Sequence, residues 1–244
     1  MRLDKAAETS SETAAVEEFM RVKRSKGSWT VLLWTVLGWT ILGPTSALAA
    51  ASSPAAAPSD TAPAILVVGD SLSAGYGIDI KQGWVALLQE RLALQGYGYR
   101  VVNASISGET SGGARSRMAN LLKLHRPAVV IIEIGANDGL RGLPVKTTED
   151  NLRALVGDAK HAHARVLIAG MQMPPNYGLQ YTQAFAELFK DVARTERVAL
   201  VPFFLDGVAL DMNLVQADGL HPTAAAQPRL LDNVWPKLIP LLKK

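Results

Sequence analysis

Cysteine is absent from this chain of 244 residues, which excludes disulfide staples, thiolate nucleophiles and thiolate metal sites in any compartment. Histidine is scarce, and four side chains carry all the imidazole chemistry available. A charge excess of one sign is missing too. Of the 25 basic and 22 acidic side chains, six and five precede residue 50, so the rest of the chain holds 19 − 17 = +2, too even a balance for a nucleic-acid surface. The apolar run from Trp29 to Gly43 has about 15 residues, short of the roughly 20 that a membrane span needs. What remains, 48% hydrophobic and 19% charged, is the composition of one globular domain with an ordinary core and a removable segment.

That segment is the N-terminus. Arg21, Lys23, Arg24 and Lys26 stand before the apolar run, and Ala47-Leu48-Ala49 closes it. Basic region, short apolar region and small-residue site are the three parts of a secretory signal peptide. The reading is a signal over residues 1–49, cut after Ala49, with translation starting at Met20 because the residues before it are polar and acidic. It places the protein outside the cytoplasm, periplasmic or secreted, with no stable membrane span once the signal is cleaved. Residues 50–62 are rich in Ala, Pro and Ser and read as linker, which leaves 63–244 for the folded domain.

In that domain, apolar runs alternate with segments of helical period, and no repeat of 20–50 residues is visible. Strands are expected at Ala64–Gly69, Arg100–Ala104, Ala128–Ile134, Arg165–Gly170 and Ala199–Pro202, mostly without the in-out alternation of a half-buried strand. Helices are expected at Trp84–Leu94, Ala114–His125, Thr148–Ala162, Tyr181–Thr195 and Ala224–Leu242. Pro228, Pro236 and Pro240 are expected to break the last one. Trp84, Leu87, Leu88 and Leu92 form one apolar stripe, and Leu121, Leu122 and Leu124 another. Repeated β-α order with strands buried on both faces implies a three-layer α/β domain around a parallel sheet. Ligands of such sheets sit beyond the carboxyl ends of the strands.

The residues with chemistry to offer lie at those ends. The first strand runs into Gly69-Asp70-Ser71-Leu72-Ser73, which sets Ser71 at a corner; neither G-x-S-x-G nor the phosphate-binding G-x-x-x-x-G-K-[ST] is matched. Gly108 follows the second strand, and Gly135-Ala136-Asn137-Asp138 the third. In a sheet of order 2-1-3-4-5 the first strand lies between the second and third, so Ser71, Gly108 and Asn137 converge. The N–H groups of Ser71 and Gly108 and the Asn137 carboxamide then make an oxyanion hole. A serine needs a base, and the base an orienting group. Asp218-Gly219-Leu220-His221-Pro222 supplies both on one loop. Asp70 and Asp138, beside glycine turns, read as structural acceptors of backbone N–H groups. His125, His161 and His163 read as helix-end or solvent-side residues, without the clustered ligands of a metal site.

GDSLSAGYG at 69–77, SGETS around Gly108, GAND at 135–138 and DGLHP at 218–222 resemble, in order and spacing, the four catalytic blocks of the SGNH (GDSL) hydrolase family. LLKLHRP, NDGLRGLP, PPNYG and DGLHPTAAAQP are similar to the periplasmic acyl-CoA thioesterase, lysophospholipase and arylesterase branch. The likeness covers nearly all of the chain after residue 64. It implies a flavodoxin-like fold with a five-stranded parallel sheet, nucleophile Ser71, partners Asp218 and His221, oxyanion donors Ser71, Gly108 and Asn137, and no cofactor or metal. Ala136 stands where many relatives have glycine.

The implied substrates are acyl esters and thioesters, aryl esters and lysophospholipids among them, cleaved through an acyl-enzyme. Tyr76, Leu140, Leu143, Pro144, Pro175 and Tyr177 are expected to form an apolar rim, and the resemblance suggests that Gly139–Pro144 moves on binding. Met171, Met173 and Phe203–Leu205 read as core rather than acyl pocket. The competing functions are a carbohydrate O-acetylesterase and an inactive binding module on the same scaffold.

Overall fold

The computed structural model describes residues 61–244. The segments read above as signal peptide, start site and nearly all of the linker lie outside the described residues. Five strands, β1 (Ala64–Gly69), β2 (Arg100–Asn103), β3 (Val129–Glu133), β4 (Arg165–Ala169) and β5 (Ala199–Val201), form one sheet of order 2-1-3-4-5 with every pairing parallel. β1 and β3 are buried at every position because helices cover both faces, and this is why their sequences carry no alternation. The last strand stops before Pro202, which has no N–H to give to a ladder.

One face carries α2 (Trp84–Leu94) against α7 (Gln227–Leu238); the other carries α3 (Ser111–His125), α5 (Val145–His161) and α6 (Leu179–Glu196) in a row. Two further helices, α1 (Ser71–Ala74) and α4 (Ala136–Leu140), follow β1 and β3 directly. Trp84 is the largest wholly buried side chain. Its backbone N–H donates to Gln227 Oε1 at 3.0 Å, which ties α2 to α7, and its ring packs edge-on against Phe204. Burying one large apolar side chain contributes about 1.5–3 kcal/mol. Phe185 and Phe189, also buried, meet edge-to-face on the opposite side of the sheet.

Several helix expectations need correction. α3 starts at Ser111, three residues early, because the Thr110 hydroxyl caps the N–H of Gly113. Its buried stripe is Ala114, Met118 and Leu122, while Leu124 is 73% exposed and serves no core. α5 and α6 likewise begin ahead of the expected Thr148 and Tyr181, after Pro144 and Gly178. Pro228 and Pro236 do not break α7. The first sits in the opening turn, where no N–H is required, and the second lies two residues from the end. Pro240 falls in the 3-10 turn Ile239–Leu241. Met171, Met173 and Phe204 are buried, as core residues should be, and Phe203 and Leu205 are half-buried beside them.

Candidate active site

Strand order alone sets the place of the site. β1 lies between β2 and β3, so the segments leaving these three strands meet at one end of the sheet. Ser71 is the first residue of α1, and a corner expected to be loop is instead a single helical turn. Asp70 caps that turn by accepting the Leu72 N–H at 3.0 Å. As the first helical residue, Ser71 has no carbonyl one turn earlier to bond, so the helical turn leaves its N–H unused. Gly69 cannot carry a side chain: a Cβ would stand 2.7 Å from Glu133 Oε2 and 2.8 Å from Ser73.

Gly108 occupies the tight turn closed by the Glu109 N–H on the Ile106 carbonyl, with φ of 79°. The closing bond does not use its N–H, and its carbonyl accepts from the Arg141 guanidinium at 2.9 Å. Asn137 lies on α4. Its Nδ2 donates to the Glu109 carbonyl at 3.0 Å and to Asp70 Oδ2 at 3.2 Å, so the amide nitrogen rather than the oxygen faces the Ser71 side. Glu109 is itself held by a two-point pair with Arg117, Nε to Oε1 at 2.8 Å and Nη2 to Oε2.

The loop near the C-terminus completes the arrangement. His221 Nε2 lies 2.9 Å from Ser71 Oγ, and Nδ1 lies 2.6 Å from Asp218 Oδ2. The other Asp218 oxygen accepts the N–H groups of Leu220 and His221 at 2.9 and 3.0 Å. The N–H of His221, then that of Leu220 and the imidazole, hold the Asp218 carboxyl down to about 2. Gly219, at φ 71°, permits the reversal. Val215 bridges Pro222, the Gln216 N–H donates to the His221 carbonyl at 2.7 Å, and the Tyr76 ring sits 4.4 Å from the His221 ring.

The structure brings Ser71, His221 and Asp218 into one line and sets Asn137 between Asp70, the residue before Ser71, and Glu109, the residue after Gly108. Asp138, buried, accepts the Ser111 N–H at 2.8 Å and its hydroxyl at 2.5 Å, locking α4 to α3. Of the rim residues, Tyr177 donates to the Leu140 carbonyl at 3.0 Å, and Tyr181, not singled out from sequence, donates to that of Leu143 at 2.9 Å. Gly139 is closely packed; a Cβ there would meet Met173 Sδ at 2.3 Å and Phe185 at 2.9 Å. His125 and His161 end their helices, and among the described residues no group of three His, Asp or Glu is placed to hold a metal.

Glu133 was missed. It is fully buried at the end of β3, where Oε2 accepts the Ser73 hydroxyl at 2.6 Å while Ser73 receives the Trp84 indole N–H at 3.2 Å. The signal was present: one acid inside the otherwise apolar run from Val129 to Ile134.

Comparison with known proteins then settles the family. The pattern of the GDSL-like Lipase/Acylhydrolase family matches residues 67–228. The chain belongs to that family. It is 56% identical to Esterase TesA of Pseudomonas aeruginosa over 178 residues, 73% of this chain and 89% of the relative. Thioesterase 1/protease 1/lysophospholipase L1 of Escherichia coli K12 is 42% identical over 187 residues, 77% of this chain and 87% of that one. The crystal structure of TesA superposes with a TM-score of 0.72 at 56% identity, covering 73% of this chain and 99% of the other. This hydrolase therefore shares its sheet and flanking helices with a solved member of the family.

Proposed function

We propose that the protein is an exported hydrolase of acyl esters and thioesters that works through an acyl-enzyme on Ser71. The observation that carries the reading is the unbroken line Asp218–His221–Ser71, with links of 2.6 and 2.9 Å, within hydrogen-bond reach for proton transfer. His221 Nε2 takes the Ser71 proton as Oγ attacks the acyl carbon. The carbonyl oxygen, now anionic, is received by the N–H groups of Ser71 and Gly108 and by Asn137 Nδ2. His221 then returns the proton to the departing alkoxide or thiolate. A water deacylates Ser71 by the same steps in reverse. Asp218 stays ionised throughout and holds Nδ1–H, so Nε2 remains the accepting nitrogen. The chemistry needs no cofactor.

Support for acyl chains and thioesters comes from the apolar rim and from the activities in the names of the two relatives. Support for lysophospholipids comes from the second name alone. Export rests on the N-terminal signal pattern; among the described residues no helix is long and apolar enough to cross a membrane.

The test is a panel of aryl esters, acyl thioesters, lysophospholipids and acetylated sugars at several chain lengths, run on the parent protein and on Ser71→Ala. Cleavage of the first three, abolished in a folded Ser71→Ala protein, is the expected result. Retained turnover in that variant would overturn the assignment, and cleavage of acetylated sugars alone would favour the O-acetylesterase.

A further inference from the structure

Directly beneath Ser71 lies a pair of acids that acyl transfer as described does not use. Asp70 and Glu133 are both fully buried, and among the described residues neither pairs with a lysine or arginine. Their surroundings are unequal. Asp70 Oδ1 accepts the Leu72 N–H at 3.0 Å and Oδ2 accepts from Asn137 at 3.2 Å. Glu133 Oε2 has the Ser73 hydroxyl and, at 3.4 Å, the Asp70 N–H; Oε1 is buried with no partner. Two neighbouring carboxyls do not both ionise, and a charge shared with a buried oxygen that has no donor, as Glu133 Oε1 is, is costly. Glu133 therefore keeps its proton, and Asp70 bears the charge.

We propose that Asp70 is a positioning residue for hydrolysis: its carboxylate, with neutral Glu133 behind it, keeps the Asn137 amide nitrogen on the nucleophile side, and protonating it in mild acid lowers turnover. The proposal rests on the reading of Ser71 as nucleophile and Asn137 as oxyanion donor. Each Asp70 oxygen faces an N–H, so a proton on either sets donor against donor. The Leu72 N–H is fixed in a helical turn, whereas the Asn137 contact is longer and made by a side-chain carboxamide that can pivot about its other bond, to the Glu109 carbonyl at 3.0 Å. The carboxamide yields first. Burial pushes Asp70 up to about 6, and burial together with the Asp70 charge pushes Glu133 well above the carboxylate range. The titratable groups facing Asp70 are Glu133 from β3, Asp138 from α4 and His221 from the base loop; Glu109 nearby is engaged by Arg117.

The experiment measures kcat and KM against pH on an aryl ester for the parent, Ser71→Ala, Asp70→Asn, Asp70→Ser, Asn137→Ala and the double variant Asp70→Asn/Asn137→Ala. Asn and Ser both keep an acceptor for the Leu72 N–H, and thermal denaturation checks that each variant folds. Asp70→Asn and Asp70→Ser should each lower kcat about 10- to 100-fold, less than the 10²–10³ of a lost oxyanion donor, with little change in KM. The double variant should be no slower than Asn137→Ala, since Asp70 acts through Asn137. The acid limb of kcat should fall with two protons in the parent and one in Asp70→Asn and in Asn137→Ala.

Multiplying effects in the double variant, or an acid limb of unchanged steepness, would overturn the proposal. If neither Asp70 variant folds, the limb of Asn137→Ala against the parent decides alone. An active Ser71→Ala protein removes the nucleophile reading and this inference together. An inactive Ser71→Ala protein beside Asp70 variants of parent kcat removes only the inference.

Discussion

Gln216 donates its side-chain N–H to the carbonyl of Tyr76, 140 positions earlier in the chain, at 2.9 Å. The same nitrogen donates to the Pro222 carbonyl at 2.9 Å, so one carboxamide joins the loop after Ser71 to the loop bearing His221. Gly77 makes room for it: a Cβ there would lie 2.2 Å from Gln216 Oε1. Replacing Gln216 with Ala should lower kcat about 10- to 100-fold, the scale of a misplacement near 1 Å. The accompanying stability loss should be only about 1 kcal/mol. Steady-state kinetics beside thermal denaturation separates the two effects, and a loss of stability without a loss of kcat would deny the residue its tethering role.

Asp218→Asn should keep the loop shape, since an Asn oxygen can still accept the N–H groups of Leu220 and His221, but it turns an NH2 toward Nδ1. The imidazole is then held in the wrong tautomer, and kcat should drop by about 10⁴. The pH dependence has a definite sign. The folded-state value of about 2 lies below the ordinary value of roughly 3.9, so the stabilisation this carboxylate contributes is fully present above the ordinary value. It disappears only as pH falls through the folded one. The fall in turnover that the Asp70 proposal expects in mild acid is therefore separate from Asp218, and titrating activity in Asp70→Asn down to pH 5 tests for it.

Glu133 has the opposite sign. Its folded value is raised well above the ordinary carboxyl value of 4.5, so the folded state binds a proton that the unfolded chain releases. Stability from this group is present below the unfolded value and is lost as pH rises through the folded one. Glu133→Gln, which cannot ionise, should lose a constant amount for its imperfectly paired amide and gain on the parent steadily as pH rises from about 4. Denaturant unfolding at a series of pH values measures that difference, and a flat difference would mean that Glu133 is not buried as an acid.

Gly170 follows β4 in a crossing where a Cβ would stand 2.7 Å from the Pro202 carbonyl oxygen and 3.0 Å from that of Val201. Both are backbone atoms, and no rotamer change relieves them. Gly170→Ala should cost about 1–3 kcal/mol, the usual penalty of overpacking, with KM unchanged because the contact lies away from Ser71. A melting curve checks the first part and kinetics the second.

How much of this was readable beforehand follows from the range of each interaction. The strands were legible because two-sided burial leaves unbroken runs such as Ala64–Gly69 and Val129–Glu133. Ser71, Gly108, Asn137, Asp218 and His221 were legible because strand ends gather in a parallel sheet and because Asp218 and His221 need only one loop between them. The short helices α1 and α4 were not, since Ser71–Ala74 and Ala136–Leu140 are too brief for a period to register. The first turn of α3 is not legible, because Gly112 and Gly113 argue against a helix while the decisive Thr110 cap is a side-chain contact. Gln216 left no trace, because its partners Tyr76 and Pro222 are chosen by the folded chain. Glu133 did leave one, a lone carboxyl in an apolar strand.

Ser71 and His221 are separated by 150 positions, with Ser71 at the first strand exit and His221 in the last loop before α7. No shorter portion of the chain can hold both. The contact joins the exit of the first strand to a loop that follows the fifth, so it exists only once the two ends of the folded domain have met. A chain folded only as far as its early strands has Ser71 without His221 beside it.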